Sequence, residues 1–143
     1  MIALALLAAQ PELPELPIPL AIHGWEEVGS QPNVNEPTIT MRYWVAPASI
    51  RATPERPDLH MVTVTVEIIH KDGTQAELRS LGQLIDCKAR TWQNEWGAFS
   101  IYDKAFVSYF TESQMGAPQV PKAGSGMAAV VDRACSGGMG PEP

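Results

Sequence analysis

The two cysteines carry the most distinctive chemistry in this chain. Cys87 lies in the strand-like run "QLIDCKARTW", and Cys135 lies in "VVDRACSGG" near the C-terminus. Such a pair could form a structural disulfide, provide a nucleophilic thiol or contribute half of a metal site. No CxxC or HxxxH unit is present, and none of the three histidines stands in a recognisable catalytic motif. These patterns favour the disulfide and predict neither a catalytic residue nor a metal ligand.

The local patterns also indicate how the two cysteines could meet. If the run around Cys87 is one continuous strand, alternation places Cys87 with Ile85 on the apolar side and Arg90 on the opposite side. Cys135 falls in the last turn of a predicted helix, one turn after Val131, so the two share a helix face. Both thiols would then face the interface that forms when the helix lies on the sheet.

The tryptophans provide a second set of candidate functional residues. In the alternation of their strands, Trp44 and Trp92 fall on the polar sides, together with Arg42 and Arg90. Partly exposed aromatic and arginine side chains are frequent in protein-binding surfaces, so these four residues form a candidate binding surface. Packing of the indole rings against cross-strand neighbours is the commoner explanation for such positions.

Two further motifs are weak. The stretch "AGSG" before the helix could hold an anion, but it lacks the continuation of a phosphate loop, and helix capping explains it. Glu26 and Glu27 are adjacent on a predicted strand, so they face opposite sides and make a poor acid–base pair. The sequence therefore predicts a protein that is not an enzyme and that holds no cofactor.

Most of the chain reads as antiparallel strands. Alternation of apolar and polar residues is clearest in "TITMRYWVA" (38–46) and "HMVTVTVEIIH" (60–70), where β-branched residues dominate. The Asp-Gly pair in "KDGT" (71–74) predicts a tight hairpin turn. Further strands are expected at 22–30, in the region leading into Cys87, and at 96–103, which makes a meander of five to seven strands.

A short helix is expected at the end of the domain. In "SGMAAVVDRAC" (125–135) apolar residues recur at helical spacing, Ser125 is a suitable N-cap, and glycines follow Cys135. The predicted fold class is therefore α+β: an antiparallel meander with a C-terminal helix packed on one face and tied to it by the disulfide.

Composition narrows the class of partner. The chain has 143 residues, of which 45% are hydrophobic and 18% charged, values that suit one soluble globular domain. The formal net charge is −6, and the basic residues are scattered, so no basic face for nucleic acid or an anionic membrane is expected.

The N-terminal region suggests export. Residues 1–9 are apolar, too few to span a bilayer, and resemble the end of a cleaved signal peptide whose start is truncated. Residues 10–20 form a proline-rich spacer, 21–136 a single domain, and 137–143 a flexible tail. An oxidising compartment after export agrees with the disulfide.

The residues also resemble a known family. The strand "IDCKARTW", preceded by "YWVAPASIR" and "MVTVTVEI" and followed by "PKAGSGMAAVVDRAC", is similar to the surface-adhesin protein E family of Gram-negative bacteria. The resemblance covers roughly residues 22–136. It implies an antiparallel sheet with a disulfide-tied C-terminal helix, and an envelope protein. Some members of that family are surface-exposed and able to bind host matrix or plasma proteins.

The expected function is thus an exported, non-enzymatic binding domain in the periplasm or at the outer-membrane surface of a Gram-negative bacterium. Its partner would be an extracellular or envelope protein, and no stable transmembrane segment is expected. Two alternatives stay open: a structural periplasmic module, which could dimerise through a sheet edge, and a small-molecule binder on the concave face of the sheet.

Overall fold

The computed structural model describes residues 19–102, 105–109 and 116–136, with side chains for 19–95 and 116–136. The predicted signal remnant, the spacer up to residue 18, and the tail lie outside these residues. Leu20, assigned to the spacer from the sequence, is buried and begins a 3-10 turn. The described elements are 3-10 turns at Leu20–His23 and Pro47–Ser49, strands β1 (Glu26–Pro32), β2 (Thr40–Val45), β3 (Arg51–Ala52), β4 (Leu59–Ile69), β5 (Gln75–Asp86), β6 (Thr91–Tyr102) and β7 (Ala105–Tyr109), and helix α1 (Gly126–Cys135).

The strands form one antiparallel sheet in the order β1-β2-β4-β5-β6-β7, and the two-residue β3 also pairs with β4. Sequential strands lie next to each other, so the meander is confirmed, and with it the α+β class and the number of strands. β7 follows residue 103, in a segment for which no strand was predicted. Within the described part of the chain, no helix has the length and apolar character needed to cross a bilayer.

β2 and β3 lie end to end along the same edge of β4, separated by the 3-10 turn at Pro47–Ser49. The Ser49 hydroxyl accepts a hydrogen bond from the Thr63 backbone N–H at 2.8 Å and donates one to the Ala46 carbonyl at 2.6 Å. It thus satisfies a β4 backbone donor that would otherwise be unpaired at the interruption.

The turn between β4 and β5 confirms the prediction from Asp-Gly. Gly73 has φ of 90°, which glycine adopts without steric cost. Asp72 Oδ1 accepts hydrogen bonds from the backbone N–H and the hydroxyl of Thr74, at 2.9 and 2.6 Å. Because these bonds favour the charged carboxylate, they lower the pKa of Asp72 below its ordinary value.

The region around Cys87 differs from the prediction. The expected strand does not continue through residue 92: β5 ends at Asp86, residues 87–90 form a turn, and β6 begins at Thr91. Asp86 Oδ1 accepts hydrogen bonds from the backbone N–H groups of Lys88 and Ala89 at 3.0 and 2.9 Å, which closes the turn. Arg90 has a φ of 59°, and among the described residues no other non-glycine residue has a positive φ.

The core lies between the sheet and α1. Inward-facing residues of β2, β4 and β5 pack against one face of the helix, of which Val130, Val131 and Ala134 are fully buried. The core cluster comprises Tyr43, Val45, Ile50, Val62, Val64, Val66, Leu81, Ile85, Val130, Val131 and Ala134. This arrangement confirms the predicted alternation of β2 and β4 and the predicted apolar face of the helix.

Helix α1 begins as predicted and approaches the sheet closely. Ser125 is the N-cap, and its hydroxyl accepts a hydrogen bond from the Ala128 backbone N–H at 3.2 Å. A Cβ atom on Gly126 would overlap the ring of Tyr43, so only glycine fits at this first helical position. The Gly126 N–H also donates a hydrogen bond to Gln31 Oε1 of β1 at 2.6 Å.

Candidate functional site

The predicted disulfide is present. Cys87, directly after β5, is bonded to Cys135, the last residue of α1, with the Cα atoms 5.5 Å apart. Because both thiols are consumed, and the described region holds no free cysteine, the nucleophile and metal-ligand alternatives do not apply to this state. The described residues also include no cluster of three or more His, Cys, Asp or Glu side chains arranged to hold a metal ion.

His60 supports the same end of the helix. Its Nδ1 lies 2.8 Å from the Ala134 carbonyl oxygen and 3.5 Å from Cys87 Sγ. Since a carbonyl can only accept, Nδ1 carries the proton and donates this hydrogen bond. The last turn of the helix therefore has a covalent and a hydrogen-bonded attachment to the sheet.

The four residues of the candidate binding surface do not lie together. Arg42 and Trp44 are on the face of β2 that points away from the helix, here called the outer face. The Trp44 indole N–H donates a hydrogen bond to Glu67 Oε1 at 3.0 Å, and exposed Arg42 lies 3.6 Å from Glu27 Oε1. These two residues remain candidates for contact with a partner.

Trp92 and Arg90 lie elsewhere. Trp92 is paired with Ile85 on the helix side of the sheet and packs against the core, so its predicted position on the polar side is wrong. The reason is the turn at 87–90, which resets the alternation on which that prediction depended. Arg90, within the turn, pairs with Asp132 of α1. It therefore contacts the helix and is not part of a surface with Arg42.

A cavity of about 210 Å³ lies between the sheet and the N-terminal part of α1, and is called the sheet–helix cavity below. Most of its wall is apolar, with two aromatic rings and two thioethers. Its lining residues are Met41, Tyr43, Val66, Ile68, Arg79, Leu81, Gln83, Trp92, Asn94 and Met127.

The polar side of the sheet–helix cavity is formed by Gln83 and Asn94, which face each other across β5 and β6. Gln83 is 1% exposed, and its Nε2 donates a hydrogen bond to Asn94 Oδ1 at 3.2 Å. Gln83 Oε1 is buried and has no hydrogen-bond partner within the described structure. A buried polar atom of this kind is rare in native proteins and calls for an explanation.

Two aromatic residues of the cavity wall are held by the surrounding backbone. The backbone N–H and C=O of Trp92 each bond to Gln119, at 2.9 and 2.8 Å, so the segment before α1 covers this edge of β6. Tyr43 is buried under Gly126, and this loss of solvation raises the pKa of its hydroxyl. The wall therefore presents a neutral phenol and an indole next to the amide pair.

Gln83 was not among the sequence-predicted candidates, although the sequence holds a signal for it. In "SLGQLID", Leu81, Gln83 and Ile85 alternate on one face, so Gln83 occupies a core position between two apolar residues. A polar residue there is unusual, because burial without a full set of hydrogen bonds is unfavourable.

Comparison of the chain with protein-family models, with curated proteins and with solved structures finds no match in any of the three. The resemblance to the surface-adhesin protein E family therefore stays a prediction.

Proposed function

We propose that this chain is an exported, non-enzymatic binding domain of the Gram-negative envelope, located in the periplasm or at the outer-membrane surface. The disulfide between Cys87 and Cys135 supports the export part of this proposal, because such bonds persist mainly in oxidising compartments. The signal-like residues 1–9 and the resemblance to the surface-adhesin protein E family agree with it.

The surface proposed to contact a protein partner is the outer-face patch, defined as Glu27, Ser30, Arg42 and Trp44. Glu27 is the β1 partner of Trp44, and Ser30 is the partner of Arg42, so the four side chains share one face of two neighbouring strands. A half-buried indole bordered by an exposed guanidinium is the composition that binding hot spots favour.

Dimerisation through a sheet edge is the less favoured proposal. β1 is at one end of the strand order, and it has a bulge between Glu27 and Gly29, two exposed glutamates and a proline at its end. Bulges, charges and proline are the features by which edge strands avoid pairing with another chain.

Export and the redox state are tested together by the intact mass of the protein from fractionated producing cells. We expect an envelope species that lacks its first residues, is two hydrogens lighter than the dithiol form, and takes up no alkyl group unless reduced. A full-length cytoplasmic species that takes up two alkyl groups would contradict the proposal.

The outer-face patch is tested by charge reversal. Arg42→Glu removes the cation without touching the core, and Lys71→Glu, in the exposed β4–β5 turn, is the matched control. On arrays of immobilised matrix and plasma proteins, we expect Arg42→Glu to lose binding that the wild type and Lys71→Glu retain. Equal binding by all three proteins would remove Arg42 from the interface.

A further inference from the structure

We propose that the sheet–helix cavity binds a small neutral molecule consisting of one apolar ring and a hydroxyl group, with the hydroxyl bonded to the amides of Gln83 and Asn94. This site lies on the helix side of the sheet, opposite the outer-face patch. The inference therefore does not depend on the proposed protein-binding function.

The first argument is the unpaired amide oxygen of Gln83. Strand alternation aims this side chain into the helix side of the sheet, where an aliphatic residue would pack without a polar atom. The only hydrogen bond of the amide within the described structure is the one to Asn94. An unsatisfied buried acceptor is destabilising, and a ligand that donates a hydrogen bond to it would remove that cost.

The assignment of the amide atoms does not alter this conclusion. Oxygen and nitrogen of Asn and Gln amides are assigned from their hydrogen bonds. If both amides were turned over, Asn94 would donate to Gln83, and the unpaired atom would be the Gln83 nitrogen. A hydroxyl group suits either arrangement, because it can donate and accept.

The second argument is the size of the cavity. An engineered apolar cavity of about 150 Å³ binds benzene. The sheet–helix cavity, at about 210 Å³, has room for a six-membered ring and one or two further heavy atoms. It is smaller than the pockets of roughly 300–1,000 Å³ that hold drug-sized ligands.

The third argument is the chemistry of the wall. The rings of Tyr43 and Trp92 can contact an aromatic ligand by edge-to-face packing, and the thioethers of Met41 and Met127 adapt to irregular shapes. Arg79, the charged residue of the wall, pairs with Glu77 Oε1 at 2.9 Å. Because this guanidinium already has a carboxylate partner, the site favours a neutral ligand over an anion.

The proposal is tested with two probes that differ only in the hydroxyl group, p-cresol and toluene. Their dissociation constants are measured on the full chain by calorimetry, and their location by NMR of the Trp92 indole, assigned with Trp92→Phe. We expect p-cresol to bind about fivefold more tightly than toluene, the factor that one net hydrogen bond of typical strength provides.

Three variants separate this site from unspecific binding. Gln83→Leu should remove the advantage of p-cresol over toluene, and Ile68→Phe, which fills the cavity, should abolish binding of both probes. Thr65→Val is the matched control, because Thr65 is another buried polar residue, located on the outer face of β4. It should leave both affinities unchanged.

Several results would overturn the proposal. Equal affinity for the two probes would show that Gln83 does not recognise a hydroxyl group. Binding that survives Ile68→Phe would place the ligand elsewhere, and no binding of either probe would identify the cavity as a hydration site or a packing void. The two-probe comparison and Ile68→Phe decide the question even if Gln83→Leu does not fold.

Discussion

Replacing both cysteines with alanine tests how strongly the fold depends on the Cys87–Cys135 bond. The bond joins residues 48 positions apart, and the chain-entropy relation gives about 4 kcal/mol for a loop of this length. Helix α1 has 10 residues, and isolated helices that short are marginal in water. We therefore expect the free energy of unfolding to fall by about 4 kcal/mol and α1 to leave the sheet first.

Urea unfolding measures the loss of stability, and native-state hydrogen exchange shows where it occurs. We expect the amides of Val130 and Val131 to exchange up to about a thousandfold faster, with a smaller change in β4. The wild type treated with reductant should reproduce the behaviour of the alanine variant. An unchanged urea midpoint, or equal acceleration in α1 and β4, would refute the conclusion that the bond holds the helix on the sheet.

Three further changes have defined outcomes. Gly126→Ala should lower the free energy of unfolding by about 1–3 kcal/mol, because the new Cβ overlaps the Tyr43 ring; higher stability, as helix propensity alone predicts, would contradict this packing. Ser49→Ala should lower the free energy of unfolding by a similar amount, because the Thr63 N–H loses its hydrogen-bond acceptor. An unchanged urea midpoint would argue against a stabilising role of the Ser49 hydroxyl. Burial raises the pKa of Tyr43 above its ordinary 10.0, so its contribution is complete below that pH and is lost as pH rises through the folded-state pKa. The stability of the wild type should thus fall relative to Tyr43→Phe as the pH rises above the ordinary pKa of 10.0, and a constant difference would contradict the shift.

The predictions that held rest on strong local patterns. Alternation in β4 and β2, with β-branched residues at successive positions, left little freedom for another assignment. The helix was defined at its start by Ser125 and along its length by Val130, Val131 and Ala134. The helical pattern puts Cys135 on the same face as Val131, and the strand pattern puts Cys87 on the apolar side with Ile85. Together these two positions predict the disulfide.

The predictions that failed concern a turn without glycine or proline. Residues 87–90 reverse the chain through two hydrogen bonds to Asp86 and a left-handed Arg90. Aspartate forms such turns, but it also occurs in strands, so no residue in this segment clearly indicated a turn. Because the turn shifts the alternation of inward and outward side chains, Trp92 lies on the core side of the sheet and not on the predicted polar side. The four residues of the predicted binding surface are therefore separated.

The sheet–helix cavity could not be predicted, because it depends on where four strands and the helix leave space between them. The sequence shows that Gln83 is polar in an apolar row, but it does not show that Met127 of α1 and Met41 of β2 border a cavity beside it. Volumes of this kind follow from the helix position, which is determined by long-range contacts.

The two ends of α1 are held in different ways, and the sheet–helix cavity lies beside its N-terminal part. Cys135 is covalently bound, and the Ala134 carbonyl accepts a hydrogen bond from His60. In the first turn, the Gly126 N–H donates a hydrogen bond to Gln31 Oε1 and the Ala128 N–H donates one to the Ser125 hydroxyl. The covalent anchor is about 12 Å from Met127, given the rise of an α-helix. The disulfide therefore keeps the helix in register over the sheet–helix cavity, which lies beside Met127 near the other end of the helix.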